Sequence, residues 1–524
     1  MTRSVFAAAR FAPAAVAAWV CLALCTAFPA GADAADEPKR EDGLYAGAAA
    51  VDVTPPLGLP IVGNWNSPPA ERVHDPIMVR ALVLKNGDDR LALVLCDNVG
   101  IPREVFDAGK ESIAARTGIK PEQVLTASTH THSSVSARSN AGEVGGSPTL
   151  DGDRPALPKG TAYQQMLAEG IAAAVEQAVD QLEPAELAWG SVQAPEHVFN
   201  RRWFVSDPDL ARNPFGGVDK VRMNPPRRSG ALVKQAGPVD PEVSFLSVRT
   251  RGVGVGLPRP IALMANYSLH YVGGVPGGEL SADYFGVFAR RIAARLNAER
   301  LTPRFVGMLS NGTSGDVNNV DFTAASVNRA PYEQMQIVAD DLAEKIAAVY
   351  DDLDFHSDVP LASAQREVLL KVRKPTPEQL AFFEQVDARA AAGEKPYQRH
   401  EQNYARRGRT LAEGPDTVAI LLQAHRIGDV AVAAIPFETF TQTGLELKRE
   451  IPRIDPFEDA FTIELANGAY GYLPTPEQHV LGGYETWLGT SSVQEDATVQ
   501  IVQNLREMFA QLARTGSPRP AGPQ

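Results

Sequence analysis

Cysteine is nearly missing: three residues in 524, and two of them, Cys21 and Cys25, sit inside an N-terminal apolar stretch. Beyond that stretch only Cys96 is left, so the body of the chain can form no internal disulfide. Its apolar surroundings, residues 91–97, suit a buried strand position better than reactive chemistry. Long hydrophobic runs are missing too. Residues 11–28 form the one such run; it is short for a bilayer span of about 20 residues, carries Pro13 and stops at Pro29. Arg3 and Arg10 precede it and Ala32-Asp33-Ala34 follows, the layout of a cleaved leader. Val20 and Leu24 precede the two cysteines where a lipid-attachment site wants a small residue. Residues 1–34 are therefore set aside as a signal peptide, and a secreted or periplasmic protein without a stable membrane span is expected. Excess positive charge is also absent. The net charge is −13, or about −14 without Arg3, Arg10 and Asp33, which argues against nucleic acid and against docking on anionic membranes. With no disulfide, the fold must rest on its own core, with a metal as the remaining staple.

What is present reads as alternating strands and helices. Residues 45–54, 77–85 and 90–97 have strand character and are closed by Pro, Gly or Asp. Residues 102–117 and 163–182 carry helical apolar spacing. Residues 124–127, 260–267 and 304–309 are short apolar strands running into polar loops, and residues 281–297 and 331–350 read as helices. Strands alternating with helices predict an α/β fold, mixed β-sheets flanked by helices, with functional loops at strand ends. One large domain over residues 43–512 is expected. Residues 139–160 read as a Gly/Pro-rich loop and residues 374–414 as a charged, solvated helical hairpin inserted in the domain. Residues 513–524 read as a disordered tail.

The histidines are few, nine in all, so their placement carries information. His130 and His132 follow the strand at 124–127, one residue apart; a period of two would put both on one face. His270 follows the strand at 260–267. Glu438 closes the apolar run Val430-Ala-Val-Ala-Ala-Ile-Pro-Phe, where an unpartnered carboxylate would be costly. Two tyrosines, Tyr470 and Tyr472, lie in the loop after residues 461–465. Imidazoles with a carboxylate and an open position are what catalytic zinc uses; arginine or backbone donors would satisfy the carboxylate equally well.

The motif Thr126-Ala-Ser-Thr-His130-Thr-His132-Ser133 resembles the His-Thr-His-Ser loop of the neutral (non-lysosomal) ceramidases. Further similarities to that family follow in the same order. They are residues 47–55, Val73-His74-Asp75 with Arg80-Ala-Leu-Val-Leu, Asn266 to His270, and Ser281-Ala-Asp-Tyr284. Ser310-Asn-Gly-Thr-Ser-Gly-Asp316-Val-Asn-Asn resembles its Gly-Asp-Val-Ser-Pro-Asn loop, and Pro436-Phe-Glu438-Thr-Phe-Thr its Pro-Gly-Glu-Phe-Thr segment. Tyr472 and Tyr484 have the family's spacing after Asn467. The resemblance runs from about residue 43 to 485.

The resemblance implies a Zn2+ site made by His130, His270, Glu438 and Tyr472. It places His132 beside the reacting amide as a general acid, and Tyr484 on the developing oxyanion. An Asn-Arg pair points to Arg201, with Arg202 competing. Asp97 and Asp316 are candidates to orient the zinc histidines. The implied activity is an amidohydrolase of the N-acylsphingosine type, acting on a small-molecule or lipid amide through zinc-activated water. Three departures bear on the substrate. Asn318 and Asn319 replace Ser and Pro, which excludes a serine nucleophile there; Pro436-Phe437 replaces Pro-Gly; and the chain is expected to be without the family's C-terminal β-domain. Another small amide, an ester, or a non-catalytic metal- or lipid-binding role are the alternatives.

Overall fold

Alternation within the strands decides the layering. In Met78–Asn86, Leu82 and Leu84 join one apolar cluster while Val79, Ala81 and Val83 join another. In Asp89–Cys96, Leu91, Leu93 and Leu95 part in the same way from Ala92, Val94 and Cys96. Successive strand side chains point to opposite faces, so a strand apolar at every position must be covered on both sides. The computed structural model, which describes residues 43–138, 161–252 and 257–514, meets that requirement with two stacked sheets and outer helices.

The larger sheet has eight strands. In spatial order they are Val306–Asn311, Pro260–Tyr267, Glu242–Thr250, Glu183–Gln193, Leu44–Asp52, Met78–Asn86, Asp89–Cys96 and Val124–Ser128. The smaller has four strands, Leu361–Lys371, Thr417–Ile427, Val430–Ala434 and Asp459–Ile463. One apolar cluster holds Leu82, Leu93 and Leu246 together with Val432 and Phe461, so the inner faces of the two sheets pack on each other. Helices Arg103–Thr117 and Ala162–Asp180 cover one half of the larger sheet, and Asp283–Arg295 and Glu333–Val349 the other. Helices Thr441–Glu450 and Ala497–Leu512 cover the smaller sheet. The chain is thus an α/β domain of mixed sheets flanked by helices. Among the described residues no helix is long and apolar enough to cross a membrane.

Local signals start the helices. Thr161 Oγ1 accepts from Gln164 N (3.2 Å) while Gln164 Oε1 accepts from Thr161 N (2.7 Å), a reciprocal cap that satisfies two orphan donors. Thr376 and Gln379 repeat it (3.2 and 3.0 Å) ahead of Pro377, which opens Pro377–Ala391. That helix and Glu401–Glu413 form the hairpin, but its charges are only half its character. Phe383, Val386 and Tyr404 are fully buried, and Tyr404 packs edge-on against Trp487 at 5.2 Å. The stretches expected to be a leader (1–34) and a loop (139–160), and residues 515–524 of the expected tail, lie outside the described residues.

Within the two large sheets three neighbouring strand pairs are parallel: Asp89–Cys96 with Val124–Ser128, Pro260–Tyr267 with Val306–Asn311, and Val430–Ala434 with Asp459–Ile463. Their carboxyl ends are stitched across the two sheets. Ser128 N donates to Leu465 O (3.1 Å), Asn467 N to Thr126 O (2.8 Å) and Glu464 N to Asn311 O (3.1 Å). The carboxyl ends of parallel strands are where open α/β sheets place ligands.

Candidate metal centre

Every proposed ligand leaves one of these strand ends. The strand before His130 stops at Ser128, and His130 itself adopts a left-handed backbone (φ 75°). A side chain pays strain for that conformation; here His130 N donating to Asn98 O (2.8 Å) secures it. The two histidines therefore do not share a strand face, as alternation predicted. They meet because the backbone turns between them, and their rings stand edge-on at 4.7 Å.

The ring nitrogens converge. His130 Nε2 lies 2.9 Å from His270 Nε2 and 3.1 Å from His132 Nε2. Glu438 Oε2 is 3.4 Å from His130 Nε2 and 3.6 Å from His270 Nε2. Glu438 and Tyr472 are register partners in a short parallel pair, and the Tyr472 hydroxyl bonds to the Glu438 carboxylate. Arg201 Nη2 donates to the Tyr472 hydroxyl from 3.0 Å. Tyr484 stands edge-on to Tyr472 with ring centres 5.7 Å apart.

Tautomers show what this cluster is built for. His130 Nδ1 is bonded to Val99 O (2.5 Å) and His270 Nδ1 to Ser314 O (3.1 Å); a carbonyl only accepts, so both Nδ1 atoms carry the proton. Both Nε2 atoms then present lone pairs to each other across 2.9 Å. Two lone pairs facing each other at that distance repel, and a cation bound between them would relieve the repulsion. Ligand atoms about 2.0–2.1 Å from a tetrahedral ion lie about 3.4 Å apart; the separations among His130, His270 and Glu438 span 2.9 to 3.6 Å. The residues fit a divalent cation. His130, His132 and His270 also form a compact three-imidazole set, so His132 competes with Glu438 for a place on the ion.

Electrostatics agree. Burial, then the His130 ring and the Arg201 guanidinium, holds both His132 and His270 well below the ordinary histidine range, leaving them neutral. Burial pushes the Glu438 carboxyl up, but His130, Tyr472 and Arg201 outweigh it and hold it below the usual range, so it stays ionised. Burial pushes the Tyr484 phenol up, so it remains a donor.

The two arginines separate cleanly. Arg201 reaches Tyr472 and Gly315 O (2.8 Å), whereas Arg202 turns away to Gln478 and Gly482. Both share Glu485, whose Oε1 accepts from Arg201 Nε (3.0 Å) and Oε2 from Arg202 Nη1 (2.7 Å). Asp97 and Asp316 do not orient the histidines. Asp97 is taken up by Arg80 (2.7 Å) and Met78 N (3.0 Å), and Asp316 by Asn200 (2.8 Å) and Thr441 (2.9 and 3.0 Å). The orienting groups are Val99 O and Ser314. Behind Ser314, whose Oγ donates to Glu464 Oε1 at 2.6 Å, lies a fully buried carboxyl that burial pushes well up. Asn318, at the position of the family's serine, bonds Asn224 (2.7 Å) and takes no part. Glu464, Glu485 and Tyr271, which stacks on His132 at 3.7 Å, went unrecognised in the sequence. Glu464 had a legible signal, a carboxylate closing the apolar run Phe461-Thr-Ile; Tyr271 and Glu485 had none.

No protein-family profile and no curated protein matches this sequence. Solved structures do resemble it. One is the crystal structure of a neutral ceramidase from Pseudomonas aeruginosa, with a TM-score of 0.63 and 17% identity over 92% of this chain and 76% of that one. Another is a ceramidase complexed with C2, with a TM-score of 0.61 and 16% identity over 92% of this chain and 77% of that one. The chain has the ceramidase fold.

Proposed function

We propose that the chain is an exported, zinc-dependent hydrolase that cleaves the amide bond of an N-acyl, ceramide-like substrate. The observation that carries this reading is the meeting of the His130, His270 and Glu438 donor atoms beside Tyr472, Arg201 and Tyr484. Imidazole, carboxylate and phenol donors suit zinc, and His130, His270, Glu438 and Tyr472 would hold it. When bound, such an ion supplies Lewis-acid polarisation of a carbonyl and water activated near neutral pH.

The chain's own groups then divide the work. Arg201, fixed by Glu485 and by Gly315 O, places a permanent positive charge beside the phenols. Tyr484 donates toward the oxygen on which negative charge develops. His132 rests unprotonated because it is buried, so it must first take a proton from the attacking water and then hand it to the departing amine nitrogen. Tyr271 stacked on its ring holds it in plane for both transfers.

The test is hydrolysis of N-acyl amides by the purified protein, followed as free fatty acid. Activity lost on chelation, restored by zinc, and reduced about 10²- to 10⁴-fold in His132→Ala supports the reading. A protein that binds zinc yet cleaves no amide or ester of any acyl length sinks it. N-terminal sequencing of the exported chain tests removal of residues 1–34.

A further inference from the structure

Beside the metal-ligand cluster the wall carrying Tyr484 continues into a narrow cavity, lined among others by Trp65, Arg222, Arg399, His400 and Trp487. Its volume is about 30 Å³. That is room for about two waters, hence for one small polar group but not for a sugar or an acyl chain.

The charge in this cavity is mainly positive, with Asp219 the one carboxylate among the lining residues. Arg222, from the strand Val221–Met223, forms no ion pair among the described residues, and its Nε is buried without a hydrogen-bond partner. Arg399, in the segment joining the hairpin helices, donates to His400 Nε2 at 2.6 Å and likewise has no carboxylate. The acids nearby are already engaged. Asp219 accepts from Asn213 (2.9 Å), Gly483 N (2.8 Å) and Trp487 Nε1 (2.7 Å). Glu485 is divided between Arg201 and Arg202. Arg212, also on the wall, is neutralised by Asp209 at 2.6 Å.

The stack of Trp65 on His400, ring centres 3.6 Å apart, fixes the acceptor that aims Arg399. Burial, then Arg399, Arg222 and Arg407, pushes the His400 pKa down to about 4, so the ring stays neutral and accepts. Burial and then Arg399 also press the Arg222 guanidinium below its ordinary range. Two like charges held together without an ion pair are unfavourable, and Glu485, which favours the Arg222 charge, does not outweigh burial and Arg399; a bound anion relieves both and satisfies the orphaned Nε.

We propose that this cavity receives an anionic group of the substrate, a carboxylate, sulfate or phosphate held between Arg222 and Arg399. It rests on the hydrolase reading, and it makes the substrate an N-acyl compound charged near its scissile amide, such as an acylated amino acid, rather than a neutral one.

The test compares equilibrium binding of two probes with the same acyl chain, N-lauroylglycine and N-lauroylethanolamine, to the full protein. The wild type should prefer the carboxylate probe. In Arg222→Gln and in Arg399→Gln the ratio of the two affinities should fall about ten- to hundredfold, the value of charge-assisted hydrogen bonds. Arg222→Lys, which keeps the charge, should retain part of the preference. Equal affinities in the wild type, or a ratio unmoved in both Gln variants, overturn the proposal. Inorganic phosphate bound in an Arg222-dependent way, with no preference between the probes, overturns the substrate assignment as well. If the charged probe binds as expected but no N-acyl amide or ester of any acyl length is cleaved with zinc present, the hydrolase reading fails and the anion site stands.

Discussion

Lys110 lies in the helix Arg103–Thr117, 2% exposed, with its Nζ donating to Asn467 Oδ1 at 2.6 Å. Burial pushes its pKa from the usual 10.5 down to about 7, with Asp107 only partly opposing. A base whose folded pKa is lowered binds fewer protons folded than unfolded between those two values. Stability therefore rises with pH across the window from about 7 to 10.5, by up to about 1.4 kcal/mol per pH unit for one proton. Over the whole window this comes to roughly 3–6 kcal/mol. Lys110→Met removes the ammonium; Asn467 Oδ1 keeps Thr126 Oγ1 as a donor at 3.3 Å, so the loss is about one hydrogen bond, roughly 1 kcal/mol. Urea unfolding of both proteins from pH 7.5 to 9.5 reads the difference directly. Wild type should gain stability with pH over this interval and Lys110→Met should not, so the variant is the more stable at pH 7.5 and the advantage shrinks upward. Parallel curves for the two proteins, or a variant less stable throughout, would refute the reasoning.

Other consequences are as specific. Glu485→Ala leaves Arg201 and Arg202 buried without their shared carboxylate, and should cost about 3–5 kcal/mol in denaturant unfolding. Burial pushes the Cys96 thiol far above its ordinary pKa, so iodoacetamide should leave it unmodified in the folded protein and alkylate it after urea. Glu438→Ala should lower zinc affinity more than His132→Ala does; the reverse order in a competition titration would make the three-imidazole set the true ligand set.

The site was more legible in sequence than the sheets that carry it. Strands buried on both faces, such as residues 90–97 and 260–267, announce themselves as unbroken apolar runs. Glu183–Gln193, Leu361–Lys371 and Thr417–Ile427 did not. In the first two, charged and apolar residues mix because one face packs on the core and the other is more open, as Leu361–Lys371 shows toward its end with alternating exposed and buried positions; in Thr417–Ile427 the polar Gln423, His425 and Arg426 are themselves buried and break the apolar run. The helix Ala497–Leu512 was likewise unread, although its buried face from Ile501 to Leu512 covers the smaller sheet. At the site, His130, His270 and Glu438 were marked by polar residues ending apolar strands. That Asp97 belongs to Arg80, and that Val99 O and Ser314 hold the rings, depends on cross-sheet register that no local pattern encodes. The hairpin looked merely solvated because Arg399 and His400 acquire meaning only once Trp65, more than 300 positions earlier, stacks against His400.

The central claim is that His130, His270 and Glu438 hold a metal ion, and elemental analysis of the purified protein tests it most directly. The account predicts about one zinc per chain, falling sharply in His270→Ala and Glu438→Ala while circular dichroism stays that of the wild type. A folded wild-type protein that retains no metal after dialysis against zinc would contradict it.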